Sequence, residues 1–139
     1  MDGTVSGQVA VEVGTGESMF EPLTTGQVVD IVPAPQTGTG APGFHINVGV
    51  RAGGIHPDGV RIDHRISLVI NDQELSAGSR VANLLMQGEY AVLYGLRAVL
   101  PNCYAAADRE LRIRATVTDA QGRTGSDERE VRGQALCPR

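Results

Sequence analysis

The 139-residue chain contains no Lys and no Trp, and aromatic residues make up only 4% of it. Without Lys there is no Schiff-base chemistry and no lysine-based phosphate cradle, and all twelve positive charges are Arg. So few aromatics leave a core to be built from Val, Leu, Ile and Ala. No apolar run approaches the roughly 20 residues of a membrane-spanning helix, so no membrane span is expected. No basic stretch followed by an apolar one opens the chain as an export signal would, and a mature domain whose signal has been removed would start in the same way. Two cysteines, Cys103 and Cys137, are too few and too widely spaced for a Cys-only zinc site. A net charge of −4 and a pI near 5.3 argue against nonspecific binding to nucleic acid, which needs a basic footprint.

What the chain does have is turn chemistry and alternation. Eighteen Gly and seven Pro suit many short strands joined by turns better than long helices. The clearest stretch is 109–131, where Leu111, Ile113, Ala115 and Val117 alternate with Arg112, Arg114, Thr116 and Thr118, the period of a strand with one face buried. Asp119-Ala120-Gln121-Gly122 supplies a turn, and the polar run to Val131 returns as an outer strand, which predicts a hairpin. Charge is uneven along the chain. The first fifty residues hold five acids and no Arg, so an acidic docking face is one reading and intermixing of the two parts on folding is the other.

Taken in order, Val9, Val11 and Val13 predict a first strand, Met19, Phe20, Pro22 and Leu23 an apolar plug, and 27–32 a second strand stopped by Pro33 and Pro35. Residues 36–43 read as a surface loop. Phe44, Ile46, Val48 and Val50 face inward on the next strand, with His45, Asn47 and Arg51 opposite. A longer strand over 60–70 places Val60, Ile62, His64, Ile66, Leu68 and Ile70 on one face. From Ser79 either a short helix stopped at Gly88 or an irregular edge strand satisfies the pattern. Residues 90–100, apolar nearly throughout, suit a central strand covered on both sides, and 102–108 a loop, with one helical turn over 105–107 as an option. The sum is an all-β, antiparallel, immunoglobulin-like β-sandwich of about eight strands, with one short helix as an option, in a single domain over 1–139 with a C-terminal tail at 133–139. A barrel of the same strands is the alternative.

The segment LRIRATVTDAQGRTGSDEREV, residues 111–131, resembles the last two strands of bacterial immunoglobulin-like domains of the PKD or invasin-repeat type. Residues 20–50 are similar to the opening of exported or lipoprotein-like bacterial β-sandwich proteins. The resemblance implies a fold and an extracytoplasmic setting, periplasmic or at the cell surface, and carries no catalytic residue. The Trp and inter-sheet Cys pair of antibody domains are missing, so it concerns architecture.

Several constellations could carry chemistry. A disulfide from Cys103 to Cys137 would tie the tail to the loop before the hairpin and stabilise by roughly 3 to 4 kcal/mol, with two unrelated thiols as the alternative. His45, His56 and His64, joined by Cys103 or Met19, could hold copper, although no His-x-His or Cys-x-x-Cys spacing occurs. Asp58, Asp63, Asp72, Glu74 and Asp119 supply oxygen ligands for calcium, or else cap their own turns. Gly14-Thr15-Gly16 and Gly38-Thr39-Gly40 lack the context of phosphate loops. Arg112 and Arg114, with Arg129 and Arg132, could form a stripe for a partner or an anionic glycan, or a solvated face. Tyr90, Tyr94 and Tyr104 could stack on a sugar. The expectation is a non-enzymatic structural or protein-interaction module of the bacterial envelope that needs no cofactor and meets a protein partner. A small metal-binding periplasmic protein and a carbohydrate-binding module are the alternatives.

Overall fold

A computed structural model describes residues 9–35, 42–135 and Cys137. Eleven strands follow in order: β1 (Ala10–Thr15), β2 (Glu21–Pro22), β3 (Val28–Asp30), β4 (Val32–Pro35), β5 (Pro42–Gly53), β6 (Val60–Leu68), β7 (Glu74–Ala82), β8 (Leu85–Gln87), β9 (Tyr90–Leu100), β10 (Glu110–Thr118) and β11 (Thr124–Gln134). They form two sheets, one ordered β2-β1-β5-β9-β8 with β4 also on β5, the other β3-β11-β10-β6-β7. All pairings are antiparallel except β3 with β11. The all-β sandwich is as expected, with more strands than the eight anticipated.

Alternation explains the core. Ile46, Val48, Val50 and Ala52 of β5 meet Ile62 and Ile66 of β6 and Leu111, Ile113, Ala115 and Val117 of β10 in one continuous cluster of buried side chains. Each large aliphatic side chain so buried contributes about 1.5–3 kcal/mol, which lets the chain do without Trp. The hairpin of β10 and β11 forms in the expected register, Leu111 opposite Val131 through Thr118 opposite Thr124.

Several expectations are corrected. The 27–32 run breaks at Ile31 into β3 and β4, which lie in different sheets, so Pro33 extends the chain along β5 instead of stopping it. Met19, expected in the apolar plug, is exposed in the loop between β1 and β2, and Ile70 is exposed because β6 ends at Leu68 and Asp72 takes a positive φ in the turn that follows. Ser79 lies within edge strand β7, so no helix forms there. The helical turn offered over 105–107 is a hydrogen-bonded turn at 104–106 and no helix, closed by the Ala107 amide on the Cys103 carbonyl. Of the 36–43 loop, 36–41 lie outside the described residues, and 42–43 belong to β5. Residues 133–134 belong to β11.

Asp119 organises one end of the sandwich. Its carboxylate accepts the amides of Gln121, Arg123 and His56 and the Nε–H of Arg123 at 2.8 Å. It therefore caps the β10–β11 turn and fastens it to the loop before β6. Burial pushes its pKa up, but the Arg123 and His56 amides, the Arg123 guanidinium and the Gln121 amide outweigh that and hold it below the usual carboxylate value. This is the self-capping alternative to a calcium ligand.

One margin of the sandwich, where β1 meets β11, is sealed. The Val13 amide on β1 donates to Asp127 Oδ2 on β11 at 2.9 Å, and Arg129 donates to Asp127 Oδ1 at 2.6 Å. Arg129 stands opposite Ile113 and thus on the inner face, so it does not join the Arg112 and Arg114 stripe as expected. A Cβ at Gly125 would lie 2.5 Å from the Val9 carbonyl oxygen, so only glycine lets the sheets approach there. At the C-terminal end Cys103 and Cys137 are joined in a disulfide, with Cα atoms 5.6 Å apart.

Asp127→Ala removes the acceptor of the Val13 amide, and urea denaturation is expected to show a loss of about 1–3 kcal/mol. An unchanged midpoint would show that this contact does not hold the margin. Replacing both cysteines with Ser is expected to lower stability by about 3–4 kcal/mol, read by the same titration without reductant.

Candidate functional site

At the opposite margin β7 and β9 face one another across a cleft of about 470 Å³ lined by His64, Gly78, Ser79, Arg80, Gly95, Leu96 and Arg97. Topology creates it. β7 is the last strand of its sheet, and β8 pairs only with Tyr90–Val92, so among the described residues β9 beyond Leu93 has no strand neighbour on the side away from β5. The expectation that 90–100 is a covered central strand holds only for its first residues.

Local sequence shapes the walls. Gly95, at φ +73°, sits in a bulge that places Leu93 opposite Val50 and Leu96 opposite Val48. Its amide donates to the Gly16 carbonyl, and a Cβ there would come within 2.8 Å of the Glu17 carbonyl oxygen. On the other wall Gly78 stands opposite His64, and a Cβ at Gly78 would lie 2.7 Å from the imidazole Cε1. The imidazole thus occupies space that any larger residue at 78 would contest.

His64 is half-buried on the inner face of β6, as its parity predicts, and its Nδ1 is buried without a hydrogen-bond partner. Burial pushes its pKa below 6.5 against a weaker opposing pull from Asp63, so it is neutral at pH 7. Positive charge in the cleft comes from Arg80 and Arg97. Neither makes an ion pair among the described residues, and no acid lines the cleft.

The other expected site residues are dispersed. His45 is buried on the outer side of β5, its pKa lowered by burial and by Arg97. His56 lies in the loop before β6, where its Nδ1 accepts the Asp58 amide. Cys103 is consumed in the disulfide. Among the described residues no group of three or more His, Cys, Asp or Glu is placed to hold a metal. Of the calcium candidates, Asp63, Asp72, Glu74 and Asp119 are each engaged by Arg.

Arg112 and Arg114 lie on the outer face of the β10 sheet within a lattice of opposite charge. Arg112 contacts Asp72, Glu128 and Glu130, and Arg114 contacts Glu128 at 3.1 Å. Tyr90 and Phe20 both stack near the Arg51 guanidinium, which also pairs with Glu12. Tyr94 lies at the bulge and exposed Tyr104 beyond the end of β9, so about 30 Å of extended strand separates Tyr90 from Leu100 and spreads the three tyrosines apart.

Comparison with known proteins finds no matching family model and no matching curated protein.

The neutral His64 links stability to pH. Its folded pKa lies below 6.5, so the unfolded chain binds the proton more readily, and the contribution is full above pH 6.5 and lost as pH falls toward the folded value. His45 shifts in the same direction and adds to the same window. In urea titrations across pH 8 to 5, His64→Gln is expected to lose less stability below pH 6.5 than the wild type. Parallel profiles would show that His64 is not the group responsible.

Proposed function

We propose that the protein is a non-enzymatic, extracytoplasmic protein-interaction module of the bacterial envelope. The observation that carries this reading is the contrast between its two margins. At the β1–β11 margin Asp127 takes the Val13 amide across the two sheets and β3 and β4 add further strands, whereas among the described residues the β7–β9 margin leaves two strand edges unpaired beside a cleft. Natural sheets cover or blunt such edges, and an edge left available is a ready template for another chain.

The Cys103–Cys137 disulfide supports the setting, because disulfides form and persist in oxidising compartments. The immunoglobulin-like resemblance of 111–131 supports it independently. A binding role also suits the chemistry of the cleft. His64 is neutral and its Nδ1 has no hydrogen-bonded group to orient it as a general base.

Photo-crosslinking amino acids placed singly at Val81, Val99, Arg114 and Ile70, positions spread over both sheets and a turn, test the reading in the envelope of native cells. A discrete adduct with another protein from one face, absent from the others, is expected. Absence of an adduct from every position would overturn it.

A further inference from the structure

We propose that the β7–β9 cleft binds an extended, acidic segment of a partner protein, which adds as a strand along the free edge of β9. This rests on the interaction-module reading and names its site and the chemistry of its partner.

The backbone argues for a strand. β8 pairs with Tyr90–Val92 and stops, so an incoming segment beside Leu96–Leu100 would continue the line of β8 and extend that sheet. The Gly95 amide is already committed to the Gly16 carbonyl, so pairing starts after the bulge. Main-chain hydrogen bonds supply affinity in such additions, and alternate side chains supply specificity. Successive residues of an added strand point to opposite sides. One set would meet Leu96 and the space beside His64 and Gly78 within the cleft, and the other would lie beside Arg97 and the exposed Val99.

Charge argues for acidity. The protein carries a net −4, yet this cleft holds two arginines and no acid. Elsewhere Arg51, Arg61, Arg65, Arg112, Arg114, Arg123 and Arg129 are each paired with a carboxylate, and Arg109 and Arg132, which form no ion pair among the described residues, share their cleft with Asp108 and Glu110, so the β7–β9 cleft differs in holding arginines without an acid. Arg80 on one wall and Arg97 on the other are left to pair with carboxylates brought by the ligand, and a planar guanidinium suits that bidentate contact. His64, half-buried beneath them, adds no positive charge to the cleft floor, so the attraction for a carboxylate comes from the two guanidinium groups.

The probes are fluorescein-labelled ten-residue peptides of alternating Val and Thr with Glu, Gln or Lys at two central positions. A Glu peptide N-methylated along one edge removes the backbone donors. Polarisation is expected to show binding of the Glu peptide, at least tenfold weaker binding of the Gln peptide, and none of the Lys or N-methylated forms. Arg80→Glu and Arg97→Glu are each expected to weaken the Glu peptide at least tenfold, and Arg80→Glu to leave the thermal midpoint unchanged, because Arg80 has no ion-pair partner to lose among the described residues. Amide hydrogen exchange of residues 96–100 is expected to slow on binding.

Equal binding of the Glu and Gln peptides, protection confined to other strands, or binding of a sulfated oligosaccharide without peptide binding would each overturn the proposal. So would edge-to-edge dimerisation through β9 at the concentrations used. A crosslinked partner at Arg114 or Ile70 with no peptide bound at β9 would sink this site while leaving the interaction-module reading in place. No adduct from any position would bring down both.

Discussion

The sandwich depends on how it disposes of unpaired strand edges. A backbone amide buried without an acceptor is costly, so every sheet margin has to be met by another strand, a side chain or water. At the β1–β11 margin the solution is a side chain reaching between sheets. Asp127, at an inward position of β11, takes the Val13 amide of β1 and is itself held by Arg129. Gly125 removes the Cβ that would keep the two strands apart. β3 then lies parallel on the far edge of β11, and β4 returns to β5, so one short stretch of chain covers the margin from both sheets. Among the described residues the β7–β9 margin receives no such cover, and that asymmetry sets a closed side against an open one.

The surface follows a related logic. On the β10 sheet, Arg65, Arg112 and Arg114 alternate with Asp72, Glu74, Glu128 and Glu130 across four strands and a turn, so charges are satisfied locally. Exposed pairs of this kind add little stability, about 0–1 kcal/mol each. Their consequence is a face with no net appetite for a charged ligand. The same residue type carries a different meaning at Arg80 and Arg97, where the partner carboxylates are missing. With Arg as its only cation the chain distinguishes the two surfaces by what surrounds each guanidinium.

How much of this was legible in sequence depended on range. The β10–β11 hairpin could be read residue by residue, because alternation and the turn at Asp119 are local. The inward position of His64 was equally plain from its parity with Ile62 and Ile66. What parity of two could not show was where a sheet ends. Residues 90–100 look like a covered strand, yet β8 stops after Tyr90–Val92, a fact of pairing between segments that periodicity does not encode. Ile70 follows the inward parity and is nevertheless exposed, because the strand had already turned away at Leu68. Arg80, Asp127 and Arg129 did leave a signal. Each is charged at an inward parity, and a charge there marks a margin where the two sheets part or a strand edge needs a ligand. The split of residues 28–35 between two sheets had no local signature, since both halves are equally extended and the break falls at buried Ile31.

The cleft is kept open by small residues as much as by missing strands. Opposite His64 stands Gly78, and a side chain at 78 would collide with the imidazole. On the facing wall Gly95 takes a positive φ and carries the bulge, so the strand kinks where the cleft lies. The imidazole fills part of this gap as a neutral ring, since burial disfavours its charged form. Fixed positive charge is thereby moved outward to Arg80 and Arg97, where water solvates it at little cost until a ligand arrives. A carboxylate entering between them exchanges solvent for guanidinium contacts without first breaking an internal ion pair. That ordering, an uncharged floor beneath a charged rim on two unpaired strands, makes the margin suited to a reversible contact and distinguishes it from a seam the fold failed to close.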